Sequence, residues 1–200
     1  MTIRKYLHSC ICLEENNKRI LIDPGTFSFV EGKLKPENIG PVDAIIITHS
    51  HPDHCYPEAL KRIVALKPAP IIAHQEIVDL LAKENISAEP IAAGETREIA
   101  GFSIQAFEAP HEPIPGDIPH NLGFLINKIF LHPGDSLSPN LPSCEILALP
   151  VMAPWATKVD MITFAQQIKA KKTIPIHDAF LKDFYLQFND KTFKEYLEER

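Results

Sequence analysis

A dense group of possible metal ligands follows the β-branched run at residues 44–48. It comprises His49, His51, Asp53 and His54. Imidazole and carboxylate groups bind zinc and similar metals, and a catalytic site keeps one coordination position open for water. In an extended segment His49, His51 and Asp53 share one side, so His54 joins them only through a turn, which Pro52 favours. The spacing predicts a loop that presents ligands to one metal ion or to two adjacent ones.

Three later segments also place a ligand-type side chain just after a predicted strand. These side chains are His111, Asp135 and His177. The strands before them are predicted at residues 102–108, in the hairpin 121–126 and 129–131, and at residues 173–176. Gly134 permits the tight backbone that turns the Asp135 carboxylate inward.

Hydrophobic periodicity predicts strands with interspersed helices over the rest of the chain. Further strands are predicted at residues 3–7, 10–13, 19–22, 44–48, 70–73, 97–99 and 145–149, with a polar turn at 14–18. Helices are predicted at residues 57–66, 75–83 and 159–169, and in the tail that ends at Arg200. Because strands and helices do not alternate strictly, the order favours an α/β fold in which two sheets pack together with helices outside.

Composition limits the class of protein. The 200 residues are 45% hydrophobic, which suits one domain over residues 1–200. A net charge of −6 without a block of Lys or Arg argues against nucleic-acid partners and an anionic membrane surface. No stretch approaches about 20 apolar residues and no signal-peptide core is present. We therefore expect a cytoplasmic protein, no membrane association and a small-molecule substrate; the oligomeric state is left open.

Residues 48–54, THSHPDH, resemble the T-H-x-H-x-D-H hallmark of the metallo-β-lactamase superfamily without a mismatch. The resemblance continues at residues 21–25, 109–111, 133–136 and 174–177. It implies an αββα sandwich of two packed mixed sheets with outer helices. The compact layout resembles the branch that includes ascorbate-phosphate lactonase-like proteins and other metal-dependent hydrolases.

The resemblance also implies a set of metal ligands. His49, His51 and His111 would bind the first metal, Asp53, His54 and His177 the second, and Asp135 would bridge both. The strand predictions agree with this set, because ligands that converge on one sheet edge should follow strands. Two divalent cations are implied, with zinc expected first and manganese or iron as alternatives.

The implied activity is hydrolysis of a small ester, lactone or phosphodiester by a metal-activated bridging hydroxide. Asp53 would then be catalytic as well as a ligand, because a carboxylate beside a metal stays ionised and can relay a proton. An iron-dependent oxidoreductase of the same fold and a non-catalytic binding module are the alternatives. The complete ligand set favours the dinuclear metallohydrolase.

Other polar and aromatic residues receive different predictions. His120, in the loop after His111, and Trp155, the only tryptophan, are predicted to contact substrate. His8 and His74 are predicted to face solvent or to satisfy strand ends, and His132 to orient a ligand. Asp178 is predicted either to orient His177 or to begin the final helix. Apolar residues in the loop 27–36 are predicted to form a pocket wall.

Overall fold

Six strands form the first of two sheets in residues 1–32 and 34–198, which this computed structural model describes. In spatial order they are β1 (Thr2–Lys5), β2 (Ile11–Glu15), β3 (Lys18–Ile22), β4 (Ala44–Ile47), β5 (Ile71–Ala73) and β6 (Glu89–Pro90). Strands β3 to β6 are parallel, and β2 is antiparallel to both β1 and β3. Strand β1 therefore runs in the same direction as β3 to β6, and their carboxyl ends lie at the same edge.

The second sheet also has several strands whose carboxyl ends lie at one edge. Its strands are β7 (Thr96–Ile99), β8 (Phe102–Glu108), β9 (Leu122–Ile126), β10 (Phe130–His132), β11 (Ile146–Pro150) and β12 (Lys172–Ile176), again neighbours in chain order. Strands β10, β11 and β12 are parallel, and β9 is antiparallel to both β8 and β10. The carboxyl ends of β8, β10, β11 and β12 consequently share one edge.

The two sheets pack face to face through a core of fully buried aliphatic and aromatic side chains. In β4, Ala44 and Ile46 point into this core, whereas Ile45 and Ile47 point to the opposite face. Both faces of β4 are buried, which explains its uninterrupted apolar sequence. The second sheet contributes side chains such as Phe102 and Phe124 to the same core.

Helices cover the outer face of each sheet. The helices are α1 (Pro57–Leu66), α2 (Gln75–Lys83), α3 (Lys158–Ile168) and α4 (Asp183–Glu198). Helices α1 and α2 pack with the outer side chains of β4 and β5, and helices α3 and α4 pack with those of β10 and β11. The predicted sandwich with outer helices is confirmed. Among the described helices, none has the length and apolarity needed to cross a membrane.

Several predicted boundaries differ from the structure. The predicted turn 14–18 is a tighter hairpin, because Asn16 and Asn17 both adopt left-handed backbone conformations, with φ of 51° and 59°. The loop 27–36 contains short 3-10 helices at Thr26–Ser28 and Val30–Gly32, and a third follows at Pro36–Ile39. Strand β6 was not predicted, because two exposed residues carry no periodic signal. In the tail, the helix begins only at Asp183, and residues 199–200 lie outside the described residues.

The core between the sheets gives a stability prediction. Phe124→Ala should lower the free energy of unfolding by about 3–5 kcal/mol, because it leaves a cavity between the sheets. Phe184→Ala is the matched control, since that side chain is 73% exposed, and should change it by less than about 0.5 kcal/mol. Urea unfolding in the presence of a chelator measures both. Equal losses in the two variants would contradict this account of the core.

Candidate metal centre

Acidic and histidine side chains follow the strands whose carboxyl ends share the site edge. In the first sheet Asp23 follows β3, and the loop after β4 carries His49, His51, Asp53 and His54. In the second sheet His111 follows β8, Asp135 follows β10, and His177 follows β12. The two edges adjoin, because Leu122 N of β9 donates to Thr48 O at 3.0 Å. The prediction of one sheet edge is therefore corrected: the seven predicted ligands come from adjoining edges of both sheets.

The first cluster consists of His49, His51, His111 and Asp135, each with one ligand-type atom within 4.8 Å of the others. His49 Nε2 lies 3.1 Å from His51 Nδ1. His111 Nε2 lies 3.4 Å from Asp135 Oδ2, and His49 Nε2 lies 3.9 Å from the same oxygen. Two imidazoles thus lie near one carboxylate oxygen, and the His51 imidazole completes the cluster beside His49.

The second cluster consists of His8, Asp53, His54 and His177. His54 Nε2 lies 2.9 Å from His177 Nε2 and 3.8 Å from Asp53 Oδ2. Asp135 Oδ1 reaches this cluster too, at 2.7 Å from His177 Nε2 and 3.1 Å from His54 Nε2. The two oxygens of Asp135 therefore face different clusters, an arrangement that suits a bridging carboxylate.

Buried hydrogen bonds orient the imidazoles in the loop after β4. Asp23 accepts from Thr48 N at 2.8 Å and from Thr48 Oγ1 at 2.6 Å, and its Oδ2 lies 2.7 Å from His54 Nδ1. Thr48 Oγ1 also lies 3.1 Å from His49 Nδ1. Nδ1–H groups that donate to Asp23 and Thr48 leave the Nε2 lone pairs of His54 and His49 for a metal.

A second set of buried contacts positions His111 and Asp135. His111 Nδ1 lies 2.6 Å from the Glu112 carbonyl, which leaves Nε2 to face the cluster. The Asn121 amide donates to the carbonyls of Ala109 and Pro133 at 2.7 and 2.9 Å, and its oxygen accepts from Asp135 N. Asn121 thereby ties together the loops after β8 and β10.

Two glycines are required by close approaches in these loops. Gly134 has φ +60°, and a Cβ there would overlap the side chain of Asn121, which confirms the prediction that this glycine permits the tight turn before Asp135. Gly25 has no unusual φ, but a Cβ there would overlap the carbonyl of Asp53. The turn after β3 can therefore press against the ligand loop only when residue 25 lacks a side chain.

Burial and neighbouring groups shift several pKa values. Burial lowers the pKa of His49 well below its usual value, and the adjacent His54 adds to the shift. Burial opposes ionisation of Asp135, but the surrounding imidazoles outweigh it and hold its pKa well below the usual value. Burial also opposes ionisation of Asp53, but the hydrogen bond with His8 outweighs it and lowers the pKa of Asp53.

Burial would lower the pKa values of His54 and His111, but contacts with Asp135, together with Asp23 at His54, raise both instead. Because ionised carboxylates and neutral imidazoles are the forms that bind metals, a cation at these two histidines must displace a proton.

The donor geometry fits divalent cations. In the first cluster, His111 Nε2 is buried and has no hydrogen-bond partner among the described residues. In the second cluster, the Nε2 atoms of His54 and His177 lie 2.9 Å apart. Nδ1 of His54 is paired with Asp23, so Nε2 is the nitrogen left for a metal. Ligand atoms around tetrahedral zinc lie roughly 3.3 Å apart, since each Zn–N bond is about 2.0–2.1 Å. Separations from 2.7 to 3.9 Å in the clusters bracket that spacing.

The predicted substrate contacts have different positions. The ring of Trp155 lies 6.2 Å from that of His111 and 6.0 Å from that of His177, so it flanks both clusters. The ring of His120 belongs to neither cluster: it stacks on His74 at 3.7 Å, and its backbone N donates to Glu76. Substrate contact by His120 stays a prediction.

Three residues outside the predicted ligand set have contacts that test the other predictions. His8 is fully buried in the second cluster, so the prediction that it faces solvent is wrong. His132 Nδ1 accepts from Gly134 N at 3.2 Å and so supports the turn before the ligand candidate Asp135; that it orients this ligand stays a prediction. Asp178 pairs with Lys5 and precedes α4, so it neither orients His177 nor begins the helix.

Comparison with known proteins identifies the class. The family described as "Beta-lactamase superfamily domain" matches residues 2–177, a range that contains both clusters and every described strand. The chain therefore belongs to the metallo-β-lactamase superfamily, and the resemblance inferred from THSHPDH is confirmed.

The chain is also similar to three individual proteins, two by sequence and one by structure. A UPF0173 metal-dependent hydrolase of Thermoplasma acidophilum is 31% identical over 183 residues, covering 85% of this chain and 80% of that protein. Protein Rv0786c of Mycobacterium tuberculosis is 29% identical over 194 residues, covering 90% and 85%. The solved structure of a Parabacteroides distasonis protein, described as a metal-dependent hydrolase, matches 98% of this chain and 88% of its own with a TM-score of 0.78. Its 21% identity makes this a likeness of fold.

The buried support of His54 gives a prediction about metal affinity. Asp23→Asn places an amide against the Nδ1–H of His54, so it should weaken metal binding at the second cluster by about 10- to 100-fold. Competition titration with a chromophoric chelator measures this affinity. Asp79→Asn, an exposed aspartate on α2, is the control and should leave it unchanged. Equal affinities in the two variants would refute the supporting role of Asp23.

Proposed function

We propose that the protein is a dinuclear metallohydrolase that cleaves a small ester, lactone or phosphodiester. The observation that carries the proposal is the Asp135 carboxylate, whose two oxygens face two separate clusters of imidazole and carboxylate ligands. Relatives named metal-dependent hydrolases support the reaction class. We assign His49, His51 and His111 to the first cation, and Asp53, His54 and His177 to the second.

Two divalent cations, with zinc expected and manganese or iron as alternatives, would supply Lewis acidity and a bridging hydroxide as the nucleophile. The residues of the chain must bind those cations and accept a proton during hydrolysis. Asp53 is suited to the second task, because its side chain is 18% exposed whereas that of Asp135 is only 4% exposed. An ionised carboxylate at the solvent side of the site can accept a proton and pass it to water.

Charge around the clusters bears on the substrate. Among the described residues, the carboxylates of Asp53 and Asp135 form ion pairs with histidines rather than with Lys or Arg. Lys5 is paired with Asp178, the residue that follows His177 in the chain. The half-buried ring of Trp155 adds an apolar wall beside the first and second clusters. These features favour a neutral ester or lactone over a phosphodiester within the proposed range.

Metal analysis combined with substrate assays tests the proposal. Protein purified without added metal should bind two equivalents of divalent cation and hydrolyse at least one ester, lactone or phosphodiester from a chemically broad panel. Removal of the metal with a chelator should abolish turnover, and zinc or manganese should restore it. One equivalent of iron with oxygen consumption would instead indicate an oxidoreductase. Two bound metals without any turnover across the panel would favour a binding module.

The role of Asp53 can be tested separately. Asp53→Asn should reduce turnover by at least about 100-fold, because the amide can neither accept the proton nor carry the charge of a ligand. Metal at the first cluster should stay bound, since the contacts of His49, His51 and His111 are unchanged. Asp79→Asn again serves as the control. Native turnover in Asp53→Asn with the best substrate would exclude Asp53 from the chemistry.

A further inference from the structure

His8 lies in the short loop between β1 and β2, held from both sides. Tyr6 N donates to Cys10 O at 2.9 Å, and the Leu7 carbonyl accepts from Ser28 Oγ at 2.9 Å. The backbone of His8 has φ +62°, a left-handed conformation that is uncommon for residues other than Gly, although Asn, Asp and His adopt it more often than the rest. This loop turns the imidazole inward, and the side chain is fully buried.

The imidazole of His8 packs among the ligands rather than in the hydrophobic core. Its Nε2 lies 3.0 Å from Asp53 Oδ2. Its ring centroid lies 4.4 Å from that of His177, and the edges of Phe27 and Phe180 close the other sides at 5.2 and 5.5 Å. A polar ring is costly to bury without a partner; Asp53 provides one for Nε2, whereas Nδ1 has no hydrogen-bond partner among the described residues.

Asp53 is the most exposed member of the second cluster, with 18% of its side chain exposed against 3% or less for the three histidines. It lies at the solvent side of the second cluster, and its Oδ2 is 3.8 Å from His54 Nε2. A carboxylate that binds a cation carries no proton, so a nitrogen 3.0 Å from it must donate. The contact is thus a charge-assisted hydrogen bond from His8 Nε2–H, which resists rotation of the Asp53 carboxylate toward bulk water.

We propose that His8 is a positioning residue of the second metal position, which holds the Asp53 carboxylate in place by donating a hydrogen bond from Nε2. The inference rests on the proposed function, because it presumes that Asp53 is a ligand. It assigns His8 no metal of its own and no contact with substrate. It also explains why β1, a strand at the edge of the first sheet, is followed by a buried polar ring.

Two substitutions separate the hydrogen bond from mere space filling. In His8→Gln the amide nitrogen is as many bonds from Cβ as Nε2 of histidine, so it can still donate to Asp53. In His8→Asn the amide is one bond shorter and cannot reach, although Asn tolerates a positive φ well and should preserve the loop. Thermal unfolding of the chelated proteins checks that both variants fold.

Cobalt(II) titration followed by visible absorbance provides a readout that does not depend on substrate. Native protein should take up two equivalents, and His8→Asn should bind the second about 10- to 100-fold more weakly while the first is unaffected. His8→Gln should recover most of that loss. Turnover with the best substrate should follow the same order.

Each contrary outcome has a definite meaning. Native second-site affinity and turnover in His8→Asn would overturn the inference. Equal losses in His8→Gln and His8→Asn would overturn it as well, because they would indicate direct ligation by the imidazole rather than hydrogen bonding. If native protein binds only one cobalt ion, the dinuclear function itself fails, and if it binds two but hydrolyses nothing, the titration still decides the role of His8.

Discussion

The buried carboxylate of Asp135 is the constraint on which the rest of the site depends. A charge with 4% of its side chain exposed is tolerable only when it is fully paired. Imidazoles from both sheets surround it, and its two oxygens divide them into two clusters. Because the histidines must approach this one group, the loops that carry them cannot vary independently. Cations held in the clusters would balance the carboxylates and give the packed imidazoles a partner for their lone pairs.

Strand direction is what lets the fold meet this constraint. Strands β1, β3, β4 and β5 have their carboxyl ends at one edge of the first sheet, and β8, β10, β11 and β12 have theirs at the adjoining edge of the second. Seven of these eight strands are followed by a residue in or beside the clusters: His8, Asp23, His49, His111, Asp135, Trp155 and His177. The eighth, β5, is followed by His74, which stacks on His120. Function is therefore placed in loops, while the sheets supply rigid positions for them.

Buried polar groups around the ligand candidates fix the orientation of their side chains. Asp23 and Thr48 fix the tautomers in the loop after β4, and Asn121 joins the loops before His111 and Asp135. Gly25 lets the turn after β3 press against the Asp53 carbonyl. Thr48 belongs to the THSHPDH motif, and Asp23 and Gly25 lie in residues 21–25, where the resemblance continues, but the sequence assigned none of them a supporting role. Nothing in the local sequence marked Asn121, because single asparagines are common in turns. For His8 one signal was present, since it follows a predicted strand as the other histidines do.

Local pattern was enough to predict the helices α1 and α2 closely, the buried strand β4, the packed sheets and the ligand candidates of THSHPDH, because periodicity and spacing are properties of neighbouring residues. The family resemblance added His111, Asp135 and His177 to the ligand set, each after a predicted strand. Short or irregular elements could not be predicted from local pattern. The two exposed residues of β6 show no hydrophobic period, and the turn at Asn16 and Asn17 depends on backbone angles. Only the tertiary structure decided that His8 is buried against Asp53, that His120 stacks on His74, and that Asp135 faces both clusters. Those contacts join residues far apart in the chain, and they depend on which strand ends meet, which is set by sheet pairing and direction rather than by neighbouring residues.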